Sequence, residues 1–126
     1  MDSHNIIILG GGLIGQTMAL ALDLHGITSV VIDPVDPAGT LTTEFDGRVA
    51  AISSSSWKMF DALGIGPKMR AEARPIHRIE VRDGADGRPL DFEADDTDNP
   101  LGLMLENRVL RRELWTMLQD AQNVTR

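Results

Sequence analysis

The chain has 126 residues, enough for one domain that buries roughly two thirds of its unfolded surface. Its 42% hydrophobic and 25% charged residues are ordinary for a globular protein, and nineteen Asp and Glu against twelve Lys and Arg leave a formal net charge of -7. That charge argues against a nucleic-acid partner, and the lack of cysteine excludes disulfides, thiolate catalysis and cysteine-ligated metals.

The first element is a strand, Asn5 to Leu9, which runs directly into Gly10-Gly11-Gly12-Leu13-Ile14-Gly15. Glycines in this spacing, between a strand and a helix, point to a dinucleotide site. Gly10 is expected to turn the chain sharply, Gly12 to leave room for a pyrophosphate, and Gly15 to let the helix approach the sheet. The free N–H groups of the first helical turn then face the anion, at the positive end of the helix dipole. The helix is expected from Leu13 to about His25. Leu13, Leu20 and Leu24 mark its inner face, widened by Ile14, Met18 and Ala21, with Gln16, Asp23 and His25 left for water and Gly26 as C-cap. Val30-Val31-Ile32 reads as the second strand, ending at Asp33. An acid about 20 residues past the glycines suits an adenosine ribose hydroxyl and opposes a 2′-phosphate.

Pro34 to Ala51 reads as a long connection punctuated by Pro34, Pro37, Gly39 and Gly47, with Arg48 inside it. Ser54 to Leu63 is a short helix ended by Gly64, and another short helix follows Pro67. Ile76 to Arg82 alternates like a half-buried strand. Asp83-Gly84-Ala85-Asp86-Gly87 then turns the chain, and Pro89 to Phe92 begins the return. Glu93 to Pro100 is an acidic loop, and Gly102 to Glu106 a further strand. Asn107 to about Gln122 is a helix with Leu110, Leu114, Met117, Leu118 and Ala121 on one face, and a new strand begins at Val124.

Bland readings compete at several positions. Arg48 suits a surface pair with Asp46 or Glu44, and Asn107 suits a helix N-cap. Ser53-Ser54-Ser55-Ser56 lacks the glycines of a nucleophile elbow and reads as a helix start. Glu93, Asp95, Asp96 and Asp98 lack the pattern of a calcium loop. His4, His25 and His77 show no metal-ligand spacing, and Trp57 and Trp115 read as core. No apolar stretch approaches the ~20 residues of a membrane span, and Met1 to His4 lacks a signal peptide's basic region, so the expected location is cytoplasmic.

Taken together, the glycine stretch with Ala19, then Ile32-Asp33, Asp46-Gly47-Arg48-Val49-Ala50-Ala51-Ile52-Ser53, Asp61-Ala62-Leu63-Gly64-Ile65, and Glu106-Asn107 with Leu110 and Leu114, carry a resemblance. The chain resembles the N-terminal part of the FAD-dependent aromatic hydroxylases, nearest the ubiquinone-biosynthesis hydroxylases of polyprenylated phenols. The implied fold is an α/β Rossmann-like FAD-binding fold with a small β-hairpin insertion, carried by the first part of a longer chain. By that resemblance Gly10, Gly11, Gly12, Leu13, Ile14 and Gly15 hold the FAD pyrophosphate and Asp33 its ribose. Arg48 approaches the flavin side, and Asn107 stands where the wider family places an arginine or glutamine for the ribityl chain. The implied reaction uses NADH or NADPH as transient reductant and O2 to hydroxylate an aromatic substrate. A lipophilic substrate implies peripheral membrane contact.

Two of the family's fingerprints, an Asp-Gly pair after a later strand and a Gly-Asp pair that closes over the flavin, are absent from that context. Asp83-Gly84 and Asp86-Gly87 fall in the expected turn. No side chain stands out as a general acid or base, and the sequence fixes no oligomeric state. Another FAD enzyme, such as an amine oxidase or dehydrogenase, and a non-catalytic nucleotide-binding module remain as alternatives.

Overall fold

The computed structural model describes residues 4–84, 87–96 and 98–126. The apolar run at the start forms strand β1 (Ile6–Leu9), followed by helix α1 (Leu13–Leu24) and strand β2 (Ser29–Ile32). β1 and β2 are parallel, with Ile6 opposite Ser29 and Leu9 opposite Ile32. Gly26, at φ +69°, follows the helix, where the left-handed conformation suits a residue without Cβ. The chain's end returns to this sheet. Strand β8 (Val124–Thr125) lies parallel on the far side of β2, which makes the order β1-β2-β8 and leaves β1 at the edge.

β8 is held there by an acid on α1. Oδ1 of Asp23 accepts the backbone N–H groups of Gln122 and Asn123, at 3.1 and 2.7 Å, and the Asn123 side-chain amide at 2.9 Å. Asp23 thus caps the turn into β8 rather than facing water.

A second, antiparallel sheet stands between. Strand β3 (Val49–Ser53) pairs with β7 (Gly102–Glu106), which pairs on its other side with β4 (Arg74–Ile76). The long connection therefore ends at Arg48, three residues short of the expected span, because Val49 to Ala51 find β-partners in β7. Helix α2 (Ser54–Ala62) begins where the Ser53 hydroxyl accepts the N–H of Ser56. It ends at Gly64, φ +83°. Pro67 opens helix α3 (Gly66–Met69), which a one-turn 3-10 helix extends to Glu72.

The stretch expected as one strand from Ile76 is two. β4 stops at Ile76, and beyond His77 strand β5 (Arg78–Val81) pairs with β6 (Leu90–Glu93) as a separate hairpin. Its alternation is genuine but not half-buried. Ile79, Val81, Leu90 and Phe92 are all more than 40% exposed on one face, while Arg78 pairs with Glu80 and Asp91 on the other. Ala85 and Asp86 of the expected turn lie outside the described residues.

Helix α4 (Asn107–Asp120) closes the core against α1, α3 and β7. Leu105, Val109, Leu114 and Leu118 are at most 2% exposed, together with Ala19, Ile65 and Met69. The inner face expected for α4 is the observed one. For α1 it is so only in part: Leu20 is buried and Leu13 and Ala21 pack on the core, but Gln16, Ala19 and Leu22 are buried too, while Ile14, Met18 and Leu24 are exposed. The buried face therefore runs through Gln16, Ala19 and Leu20, with Leu13 and Ala21 packed beside it, while Ile14, Met18 and Leu24 point away. Trp57 is core, as expected, whereas Trp115 is only half-buried and lies under the Arg126 guanidinium. No described helix is long and apolar enough to cross a membrane.

Candidate functional site

The site is built where β1 ends, α1 begins and β2 ends. Gly10 has φ +105°, a conformation that an L side chain rarely adopts, and its N–H donates to the Ile32 carbonyl at 2.8 Å. This turn ties the tip of β1 to the tip of β2. Gly15 stacks against it so closely that a Cβ would collide with the Gly10 carbonyl oxygen. The close approach is thus helix to glycine turn, more local than helix to sheet.

Gly12 is the N-cap of α1, and no side chain caps the helix. A Cβ built on Gly12 would have nothing within 4 Å. The first-turn N–H groups therefore face an open space, the arrangement an anionic group needs.

Asp33 turns back onto the loop. Its Oδ2 accepts the Gly11 N–H at 2.6 Å and its Oδ1 accepts the Val35 N–H at 2.8 Å. The Val35 and Gly11 amides hold its carboxyl below the ordinary aspartate range against the small opposing effect of burial. An ionised carboxylate has about four acceptor positions, so two remain for further donors. Because the folded-state pKa is depressed, the stabilisation from Asp33 is complete above the ordinary aspartate value and is lost as pH falls through the depressed one. Asp33→Ala is expected to weaken FAD binding about 10- to 100-fold at neutral pH, a range set by a charge-assisted hydrogen bond. The gap between variant and parent should close in acid. A flavin-fluorescence titration across pH checks both, and equal affinities at pH 7 would remove Asp33 from the site.

A cleft of about 620 Å³ opens beside this loop, bordered by Gly12, Gln16, Asp33, Asp46, Arg48 and Arg111. On its far wall Asp46-Gly47-Arg48 forms a tight turn, with Gly47 at φ +80°. Asp46 Oδ1 accepts the Arg48 N–H at 3.1 Å, and Oδ2 accepts Arg48 Nε at 3.2 Å. A second guanidinium, Arg111 of α4, reaches the same Oδ2 at 3.1 Å. Burial opposes the charge on Asp46, but the Arg48 amide, the Arg111 hydrogen bond and the two positive charges together hold its carboxyl below the ordinary range. Arg48 is both the surface pair and a wall of the cleft: its side chain is 64% exposed and ion-paired to Asp46.

Asn107 is the first residue of α4, not its N-cap; Glu106 is the cap. The helix starts one residue earlier than a capping role needs because the β7 ladder runs through Glu106. The Asn107 N–H donates to the Arg48 carbonyl at 3.1 Å, and its Oδ1 is buried without a partner. The two expected flavin-side residues are thus joined, although Asn107 does not border the cleft. Leu13 borders it, while Ile14, 85% exposed, faces a separate shallow groove with Leu9 and Met18. Only the backbone of Ile14 remains a candidate contact.

Two residues escaped the sequence reading. Gln16 donates from Nε2 to the Gly11 carbonyl at 2.6 Å, and its buried Oε1 has no partner. Arg111 lies four residues beyond Asn107, on the same helical face, and that spacing was its only signal. An open Gly12, an uncapped helix and the unpartnered amide oxygen of Gln16 at the cleft wall fit a group with phosphates and hydroxyls.

Comparison with known proteins agrees. The family described as FAD binding domain matches residues 3–122. A ubiquinone hydroxylase, UbiL, of Rhodospirillum rubrum is 38% identical over 114 residues, 90% of this chain and 27% of its own length. The 3-demethoxyubiquinol 3-hydroxylase of Escherichia coli is 34% identical over 95% of this chain and 31% of its own. The chain therefore spans about a third or less of these relatives. Among solved structures, p-nitrophenol 4-monooxygenase PnpA of Pseudomonas putida superposes with a TM-score of 0.69 at 23% identity, over 97% of this chain and 31% of that one. PqsL of Pseudomonas aeruginosa gives 0.71 at 19%, over 98% and 33%. At these identities the structures establish a shared fold, and the sequence match establishes the family. The chain belongs to the FAD binding domain family.

Proposed function

We propose that this chain is the N-terminal, FAD-holding portion of a flavin-dependent monooxygenase that hydroxylates a phenolic, polyprenylated intermediate of ubiquinone synthesis with NADH or NADPH and O2. The observation that carries the reading is the cleft itself, where an uncapped helix N-terminus and Asp33 stand opposite the Asp46–Arg48 turn. The names of the Rhodospirillum and Escherichia relatives support the substrate class. In this reading further strands of the FAD domain, and a substrate domain, lie outside these 126 residues. The exposed edge strand β1, with Ile7 65% and Leu9 82% accessible, supports that division. A lipophilic substrate would bring the assembly to a membrane surface.

In this reading the first-turn N–H groups of α1 donate to the pyrophosphate, and Asp33 accepts from the ribose. Arg48 supplies positive charge from the opposite wall, and Asn107 an amide for the ribityl chain. When bound, FAD supplies the activation of O2 and the transfer of one oxygen atom to an activated ring. The chain's own residues bind and orient; none is assigned a proton-transfer role.

A polypeptide of the relatives' length that begins with this sequence should purify with FAD rather than FMN, since Asp33 is placed for an adenosine. Supplied with labelled oxygen gas, reductant and a polyprenyl phenol, it should place label in the phenolic product. The 126-residue chain alone should not, because a site open to water diverts the reduced cofactor to peroxide release. Product free of label from the longer polypeptide would overturn the monooxygenase reading.

A further inference from the structure

We propose that Arg111 is a positioning residue of the cofactor cleft: through Asp46 it fastens the connection between β2 and β3 to α4, and so holds Arg48 on the cleft wall. The inference rests on the FAD reading above, and goes beyond it by assigning a residue that neither the glycine motif nor the Asp-Gly-Arg segment contains.

The connection needs a fastening. Between Asp33 and Arg48 its only regular structure is one 3-10 turn at Pro37–Thr40, and residues 41–45 are all exposed. Its internal hydrogen bonds near the tip, between Thr42 and Glu44, span two residues and tie it to nothing else. Among the described residues, the side-chain hydrogen bonds that reach 41–46 from another element both come from α4. Arg108 Nη1 donates to the Thr43 carbonyl at 2.8 Å, and Arg111 Nη1 to Asp46 Oδ2 at 3.1 Å. The two arginines are three residues apart, on adjoining positions of one helical face.

The Arg111–Asp46 pair is the better placed of the two. Its side chains are 19% and 18% exposed, so water and salt screen it less than an ordinary surface pair. Asp46 joins the two walls because each of its oxygens is used. Oδ1 fixes the Arg48 backbone, and Oδ2 receives the guanidinium groups of Arg48 and Arg111. The Asn107 N–H holds the Arg48 carbonyl, but without Arg111 the Asp46–Arg48 side-chain link would span only two residues across Gly47 and be anchored within the connection alone.

The test uses a polypeptide of the relatives' length that begins with this sequence, and two readouts, the first free of cofactor. Endoproteinase Glu-C, which must take an extended segment into its cleft, cuts after Glu44 faster the more readily the connection leaves its place against α4. Arg111→Met keeps the aliphatic stem and removes the donor, and should speed cleavage at the Glu44–Phe45 bond about tenfold with little change in thermal midpoint. Arg111→Lys should restore part of the protection. Arg111→Met combined with Asp46→Asn should be no faster than the quicker single variant, because both break one link. In the second readout, a fluorescence titration, Arg111→Met should weaken FAD binding about tenfold. Unchanged cleavage at Glu44, or additive effects in the double variant, would overturn the fastening. Faster cleavage with unaltered FAD affinity would overturn the positioning role. A parent chain that takes up no FAD would count against the functional reading, and the cleavage assay would still decide the fastening.

Discussion

Gly12→Val is expected to leave the fold intact and to abolish FAD binding. The backbone at Gly12, φ -75° and ψ -170°, is extended and open to a β-branched residue without strain. A Cβ there meets no atom within 4 Å, so the isolated chain accepts the larger side chain. The cost to stability is that of a poorer N-cap, about 1 kcal/mol or less. In the function proposed above, the same empty space is where the pyrophosphate approaches the first-turn N–H groups. Three added carbons fill it, and affinity should fall by at least about 100-fold. Flavin fluorescence measures the loss in a polypeptide of the relatives' length that begins with this sequence, and circular dichroism checks the fold. Full FAD occupancy in the variant would place the pyrophosphate elsewhere and remove the basis of the glycine assignment.

The parts of the site that the sequence made legible are those set by backbone conformation. Gly10 at φ +105°, Gly12 open and Gly15 against the turn each do what the strand–glycine–helix spacing requires, since such constraints are local and leave little choice of residue. Helix α4 was legible for a similar reason: its apolar positions repeat at helical spacing and all meet the core. Helix α1 was partly misread because periodicity counts apolar residues without knowing how many neighbours the sheet provides. With β1 at the edge, Ile14 and Met18 have nothing described to pack on, while Gln16 is buried because the Gly11 carbonyl needs a donor. Strand β3 was missed since its partner, β7, lies about fifty residues on, and pairing at that distance leaves no local signature. Arg111 was illegible for the same reason. Its importance depends on Asp46, 65 residues earlier, being brought to α4 by the β3–β7 ladder.

The second large effect concerns Gly15, and it should be the reverse of the first. Gly15→Ala adds a single methyl group, an ordinary gain in helix propensity of up to about 1 kcal/mol. Here that methyl would overlap the Gly10 carbonyl oxygen, lie 3.0 Å from the Gly10 carbonyl carbon and 3.3 Å from Ile8 Cγ2. The first two are backbone atoms of a turn already fixed by its positive φ and by its bond to Ile32, so no rotamer change relieves the overlap. Either α1 moves away from the glycine turn or the turn gives up its hydrogen bond to β2. Both disturb the pairing of β1 with β2 at its upper end, and a loss of about 3 kcal/mol or more is expected. Urea denaturation followed by circular dichroism should show it as a lower midpoint, with Gly12→Ala as the matched control that changes little. The contrast is what the geometry demands, because one glycine keeps space for a ligand and the other lets two backbones touch. If Gly15→Ala instead matched the control in stability, helix and turn would not be in contact, and the loop could not present the first-turn N–H groups in the arrangement described.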